Sequence, residues 1–462
     1  MRSVRSRRPW SRGRGLGVTA AIGVLLLAVV AAGCDRGLDE PDHPSAEQPP
    51  DDGPDPTDPD RDNNADPPPD EPAPTDPEAD TPGLQLGYLL PETGPLAFLG
   101  APQIEAVRFA VEELDAAGGV LGHPVTLLTG DEAGDPGIAL ETAERLLEQG
   151  VHAIIGAASS RMSLAVADTV TSAGALQCSP ANTVIAFTTM DLNGRYARTA
   201  PSDRLQGPVL AATILADGNR NPALLARNDD YGQDLLEATL RTLQAEGANV
   251  AIELVYDSDA VAFDVEVSQV MASDADSVAI LGFEEGALIL RELIEQGLGP
   301  RNFPVYGADG LRSNDLAGLV DPGDPSALTG MRGTAPGLGQ DPTGFLAEFR
   351  AATGLEDTQF AAEAYDCTVL IALAATAAGS TDGGAMAAQL VDLTAGDTPC
   401  TGFAACRDVL EAGDTIAYQG ASGVVLTRTE AGNAEPATGR YEVWTIDDTG
   451  RVVVEQVVES AP

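Results

Sequence analysis

Polar loops that directly follow short apolar runs carry the residues best suited to hold a small charged molecule. The run Ile154-Ile155-Gly156 leads through Ala157-Ala158-Ser159-Ser160 into a helical segment, so serine hydroxyls and the first amides of a helix lie together. Those amides have no intrahelical acceptor and sit at the positive end of the helix dipole, which suits an anion such as a carboxylate. The same serines are good helix N-caps, and capping is the ordinary reading of either one. A second loop, Ser179-Pro180-Ala181-Asn182-Thr183, follows the extended segment Ala175–Cys178 and also reads as a simple turn. A third, Pro91 to Gly100, follows the apolar strand Gln85–Leu90. The pattern points to binding rather than turnover. No GxSxG elbow, GxxxxGK[ST] loop or HExxH pair occurs, which leaves a hydrolase as the weaker alternative. Of three histidines, His43 lies in a Pro-rich acidic stretch, His123 in a Gly-His-Pro turn, and His152 opens a strand as a packing residue. No metal or cofactor is expected.

The elements that must position these loops alternate strand and helix. Ile104, Val107, Val111 and Leu114 mark one helical face, closed by Gly118-Gly119. Val125–Leu128 reads as a strand, Ile138–Gln149 as a helix stopped by Gly150, His152–Gly156 as a strand and Ser160–Ala173 as a helix. A second series runs from Ala223–Ala226 (strand) through Gln233–Glu246 (helix) to Val250–Tyr256 (strand). Phe263–Ala272, Ser277–Gly282, Glu285–Gln296 and Pro304–Gly307 complete it. Such alternation predicts two successive parallel sheets covered on both faces, with ligands outside the carboxyl ends of the strands. Ala361–Ala378, rich in small residues, reads as a closely packed helix, and Tyr441–Ile446 with Arg451–Val457 as a hairpin around Asp447-Asp448-Thr449-Gly450.

Composition narrows the partners. The 462 residues carry 71 Asp+Glu against 26 Lys+Arg, all of them arginine, for a net charge of −45. A chain so acidic repels phosphate backbones, which excludes nucleic acid, and it cannot dock on anionic lipid through a basic patch. The 43% hydrophobic content supports a large core.

The N-terminal region reads as an address. Six arginines precede the apolar run Leu16–Ala32, and Ala31-Ala32-Gly33 precede Cys34, so residues 1–33 are expected to be a signal peptide. The site resembles a bacterial lipobox, with Ala31 in place of the usual leucine, which implies lipidation of Cys34. Residues 35–83 hold 17 acids and 14 prolines with Leu38 as the one large aliphatic side chain, and are expected to form a disordered, extended tether of up to roughly 150 Å. Four further cysteines in an exported chain favour disulfides. Cys400 and Cys406 enclose a short loop whose closure is worth about 2 kcal/mol. Cys178 and Cys367 remain by elimination, and the sequence leaves open whether they pair.

The segments GPLAFLG, EELDAAGGVLGHPVTLLTGDEAGDP, IIGAASS, CSPANT, RTAPSDRLQG, NDDYGQDL and YGADGL occur in this order. Together they resemble the type I periplasmic binding proteins of the leucine/isoleucine/valine-binding family, which serve ABC importers. The resemblance implies two Rossmann-like lobes with parallel sheets, joined by a three-crossover hinge. Lobe one is placed at residues 84–200 and 335–418, lobe two at 201–334 and 419–462. By the same resemblance Ser160 and Thr183 would hold a ligand carboxylate through hydroxyl and amide. The Ala181 carbonyl and the Asp309 carboxylate would hold an ammonium. Tyr231 and Phe283 would reach in from the second lobe, and Phe98 or Leu99 from the first. This chain departs from the family in having Leu99 where an aromatic often precedes the loop glycine, and Phe283-Glu284-Glu285 where a hydroxyl or amide often flanks an aromatic. Arg161, beside Ser160, is bulky and cationic; the ordinary reading is an outward-facing first-turn residue. The implied function is capture of a branched-chain amino acid or related amino acid or amide by an extracytoplasmic, lipid-anchored monomer that delivers it to ABC permease subunits. A ligand-sensing domain for a receptor or regulator is the alternative.

Overall fold

The computed structural model describes residues 83–461, apart from 339, 340 and 342. The expected signal peptide, Cys34 and all of the expected tether but Gly83 lie outside these residues. Five short strands open the chain: β1 (Gln85–Leu89), β2 (Thr126–Leu128), β3 (Ala153–Gly156), β4 (Leu176–Ser179) and β5 (Tyr196–Arg198). They pair in parallel in the order β2-β1-β3-β4-β5. Five more repeat the plan: β6 (Pro222–Arg227), β7 (Ile252–Tyr256), β8 (Ser277–Leu281), β9 (Val305–Gly307) and β10 (Arg332–Pro336). Their order is β7-β6-β8-β9-β10, again parallel. In both sheets the first strand lies inside the sheet, so the strand order reverses beside it and opens a crevice at the carboxyl ends.

The intervening helices form where the sequence signals them. Asp135 caps the helix Pro136–Glu148 by accepting the amides of Gly137 (2.8 Å) and Ile138 (3.1 Å), and Pro136 supplies the fixed φ of the first turn. Ile104, Val107 and Leu114 of the helix Ala97–Ala116 are buried, as their spacing predicts, while Val111 is partly exposed. Every residue of β3, β4 and β8 is buried, consistent with sheets covered on both faces.

The C-terminal third completes both sheets. β13 (Leu426–Arg428) and β14 (Ala434–Pro436) extend the first sheet beyond β5, whereas β15 (Gly439–Ile446) and β16 (Val452–Ser460) extend the second as an antiparallel ribbon beyond β10. Before them in the chain, β11 (Thr398–Cys400) and β12 (Ile416–Tyr418) form a two-stranded parallel pair. This sheet membership corrects the boundary expected at residue 419: the chain stays with the first sheet through β14 and leaves it only after Pro436. The chain therefore passes between the two bodies three times, after β5, after β10 and after β14.

Helix Ala361–Ala378 is long and apolar enough to cross a membrane, but 83% of it is buried, against the helices Ala97–Ala116 and Gly383–Ala395. Its alanines permit that close approach. Two disulfides are formed, Cys178–Cys367 between β4 and this helix, and Cys400–Cys406 beside β11.

Candidate functional site

The loops after β1, β3 and β4 meet at one end of the first sheet. A Cβ on Gly100 would run into the Pro91 carbonyl, so glycine there lets the loop after β1 fold back onto the start of its helix. Ser179 ties the other two loops together: its hydroxyl donates to the Ala157 carbonyl (2.6 Å) and accepts the Asn182 amide (3.1 Å). Asn182 in turn donates to Ser163 at 3.1 Å.

Within this frame Ser159 is the N-cap, accepting the Met162 amide, and Ser160 is the first helical residue with its side chain free of capping. The Ser160 hydroxyl accepts the Thr183 amide at 3.4 Å, and the Thr183 hydroxyl donates to Oδ2 of Asp203 at 2.8 Å. Ala181 is buried beside them. Two of the amides offered by the loop before Ser160 are already taken. Glu132, fully buried, accepts the amides of Ala158 (2.6 Å) and Ser159 (3.2 Å). Burial pushes its carboxyl up to about 8, against those two hydrogen bonds.

The second body contributes a cluster around Asp309, which lies in a short turn after β9. Its Oδ1 accepts the Tyr231 hydroxyl (2.7 Å) and the Gln206 side-chain amide (2.9 Å), while Gln359 donates to its carbonyl at 3.0 Å. Tyr231 stacks on Phe283 with ring centres 4.9 Å apart. The Arg227 guanidinium lies 3.8 Å over the Phe283 ring and is itself fixed by Asp229 (2.6 Å) and Glu285 (2.8 Å). Gly310 has no room for a side chain, since a Cβ there would press on the Gly282 carbonyl and the Phe283 ring. Asp203 is fully buried and its Oδ1 has no partner among the described residues. Burial, then the charge of Asp309, raises the Asp203 carboxyl well above its ordinary range; Asp309 is raised by burial, against its hydrogen bonds. Only neutral donors reach these two carboxyls among the described residues.

The two bodies touch around this cluster. The Ile185 amide donates to Oδ2 of Asp234 at 2.7 Å, and the Asp203 amide donates to the Thr183 carbonyl at 2.8 Å. A cavity of about 140 Å3 lies between Phe98 of the first body and Glu284, Gly310, Leu311 and Ser313 of the second.

Of the residues singled out in the sequence, Ser160, Ala181 and Thr183 lie together in the first body, and Asp309, Tyr231 and Phe283 in the second. Asp203 links the two groups. Phe98 lines the cavity, whereas Leu99 packs into the core of the first body. Arg161 is exposed and makes no ion pair among the described residues. His152 accepts the Gln85 amide through Nδ1 (3.0 Å), the packing role expected of it. Sequence reasoning missed Glu132, Asp203, Gln206 and Gln359. Asp203 and Gln206 stand in the segment RTAPSDRLQG, and Glu132 in TGDEAGDP, so the segments were seen but their buried members were not.

The sequence matches the periplasmic binding protein family over residues 83–412. It is 30% identical over 305 residues to Leu/Ile/Val-binding protein homolog 2 of Brucella abortus, covering 65% of this chain and 80% of the relative. An amino acid binding protein of Pseudomonas aeruginosa is 28% identical over 303 residues, covering 64% and 79%. Among solved structures, a leucine binding protein of Thermotoga maritima superposes with a TM-score of 0.69 at 22% identity, over 82% of this chain and 99% of the other. A branched-chain amino acid substrate binding protein of Streptococcus pneumoniae, solved with isoleucine, gives 0.67 at 19% identity, over 82% and 100%.

Proposed function

We propose, from the premise that this chain belongs to the periplasmic binding protein family and so acts outside the cytoplasm by binding a solute, that it is the solute-binding lipoprotein of an ABC importer. Its ligand is a branched-chain amino acid or a related small amino acid or amide, held between the two bodies. One observation carries the choice of a zwitterion. Asp309 is buried with no cation beside it among the described residues, and the hydroxyl and amide groups of Ser160 and Thr183 join the same cluster through Asp203. A carboxylate that accepts only neutral donors is a fit partner for an ammonium, and at the other end the Ser160 hydroxyl suits a carboxylate, with Thr183 joining once its hydroxyl turns from Asp203. The names of the relatives, as Leu/Ile/Val-binding proteins, support the same class.

In this reading the two lobes comprise residues 84–200 with 335–437, and 201–334 with 438–462. Contacts such as Asp234 with Ile185 exist only while the lobes are closed, so a ligand that touches both lobes biases an open–closed equilibrium. Cys34 carries the lipid, and the acidic, Pro-rich segment after it holds the binding lobes away from the membrane for delivery to the permease.

Calorimetric titration of the purified protein with leucine, isoleucine, valine and small amides tests the ligand class. Saturable binding with one ligand per chain is expected for at least one of them. Absence of both heat and a melting shift for all of them at millimolar concentration rejects it.

A further inference from the structure

Glu363 stands in the first turn of the helix Ala361–Ala378, where the three connections between the bodies converge. Thr199, leaving β5, donates its hydroxyl to the Glu363 carbonyl at 2.9 Å. Glu363 also borders two cavities. The smaller, of about 40 Å3, is walled by Pro336 and Gly337 on the way out of β10. The larger, of about 130 Å3, adds Thr199, Ser422 and the β14–β15 connection at Thr438. All three crossings thus meet at this one residue.

Among the described residues the Glu363 carboxyl forms no ion pair, although Arg312 lies near enough to favour its ionised form. The residue is 7% exposed, and among the described residues its carboxyl bonds to no other residue, only to its own backbone amide. The charges around it are Asp366 on its own helix, Arg312 and Glu442 at the smaller cavity, and Arg440 and Glu459 at the larger. Neither arginine is free. Arg312 pairs with Glu442 (2.8 Å) and Asp357 (3.6 Å), and Arg440 with Glu459 (3.2 Å). Asp366 is engaged by Tyr418 (2.7 Å), Ala421 (2.9 Å) and Ser422 (2.8 Å). Burial, then the charges of Asp366 and Glu442, push the Glu363 carboxyl up to about 8.

We propose that the larger cavity is a binding site for a small monovalent cation, with the Glu363 carboxylate as its one anionic ligand and hydroxyl and carbonyl oxygens of the wall completing its shell. An ionised carboxylate enclosed without a partner is costly, and a cation removes that cost. No three carboxylates gather as a divalent ion would need, among the described residues. About 130 Å3 admits a sodium or potassium ion with some of its water, a water molecule occupying about 30 Å3.

The test compares melting temperatures of the whole protein in sodium, potassium and choline chloride at equal ionic strength. At pH 9, where Glu363 is ionised, sodium or potassium raises the melting temperature over choline by roughly 2 °C, saturably. The rise vanishes at pH 6, where a proton competes, and in Glu363→Gln. Equal melting temperatures in all three salts overturn the proposal, as does a rise that survives in Glu363→Gln. A loss of stability between pH 7 and 9 that is blind to the cation assigns neutralisation to the proton alone and equally overturns it. Sodium-23 relaxation on the unmodified protein, enhanced at pH 9 and not at pH 6, keeps the test decisive if Glu363→Gln fails to fold.

Discussion

Tyr231 donates its hydroxyl hydrogen to Oδ1 of Asp309 at 2.7 Å, and both side chains are buried. The bond orients the carboxylate that the proposed function assigns to a ligand ammonium. Asp309→Ala is expected to stay folded, since it removes a buried charge together with its desolvation cost, and to lose at least about 100-fold in amino-acid affinity. Tyr231→Phe keeps the ring that stacks on Phe283 and removes one charge-assisted hydrogen bond, for a loss of about 10-fold. Calorimetry beside a melting curve checks both. Affinity within threefold of the parent in Asp309→Ala refutes the ammonium assignment.

Asp234 reaches from the helix Asp230–Ala245 of the second body to the Ile185 amide of the first, 2.7 Å away. Its removal touches no proposed ligand contact, so an effect on binding reports closure. Asp234→Ala should weaken affinity by about 3- to 10-fold, the worth of one hydrogen bond, with little change in melting temperature. X-ray scattering should show a larger radius of gyration for the ligand-free variant than for the ligand-free parent. Unchanged affinity and unchanged radius together count against a role for this contact in closure.

Eight of the parallel strands were legible because each is a short apolar run between helix stop signals, as with Ile154-Ile155-Gly156 after Gly150, while β5 and β10 were not expected. Nor were β13 and β14. Leu426–Arg428 and Ala434–Pro436 are three residues each and partly polar, and they are strands only because the edge of β5 is there to pair with. The site divides in the same way. Ser160 and Thr183 stand at the ends of loops that follow strands, where open parallel sheets take ligands, whereas Asp309 was marked only by the family resemblance of YGADGL. Glu132 sits in an acidic run that reads as solvated charge, and it is buried because amides 26 and 27 residues later close over it. Asp203 and Gln206 look like the polar face of a helix; that helix packs at the junction of the two bodies, which no local pattern encodes.

The two disulfides close loops of very different size. Cys178 and Cys367 are 189 residues apart and Cys400 and Cys406 six, so loop-closure entropy assigns about 5 and about 2 kcal/mol. Replacing Cys178 and Cys367 together by serine should therefore lower the melting temperature more than the same change at Cys400 and Cys406, as read by calorimetry under non-reducing conditions. The reverse order shows that packing around the sulfurs outweighs chain entropy.

Glu132 makes the fold sensitive to pH in a direction opposite to most carboxylates. Its carboxyl is raised from 4.5 to about 8 by burial, so between those values the folded protein holds a proton that the unfolded chain has released. Stability contributed this way is complete below pH 4.5 and is lost as pH rises towards 8, at up to about 1.4 kcal/mol per pH unit. Glu132→Gln keeps an oxygen for the Ala158 amide and takes no proton. Other buried carboxyls, Asp203 and Asp309 among them, titrate in both proteins and cancel in the comparison. Urea unfolding at pH 5.5 and 7.5 should therefore show the parent losing about 2–3 kcal/mol more than the variant over that interval. Equal losses mean that Glu132 is ionised throughout and that its two amide bonds outweigh its burial.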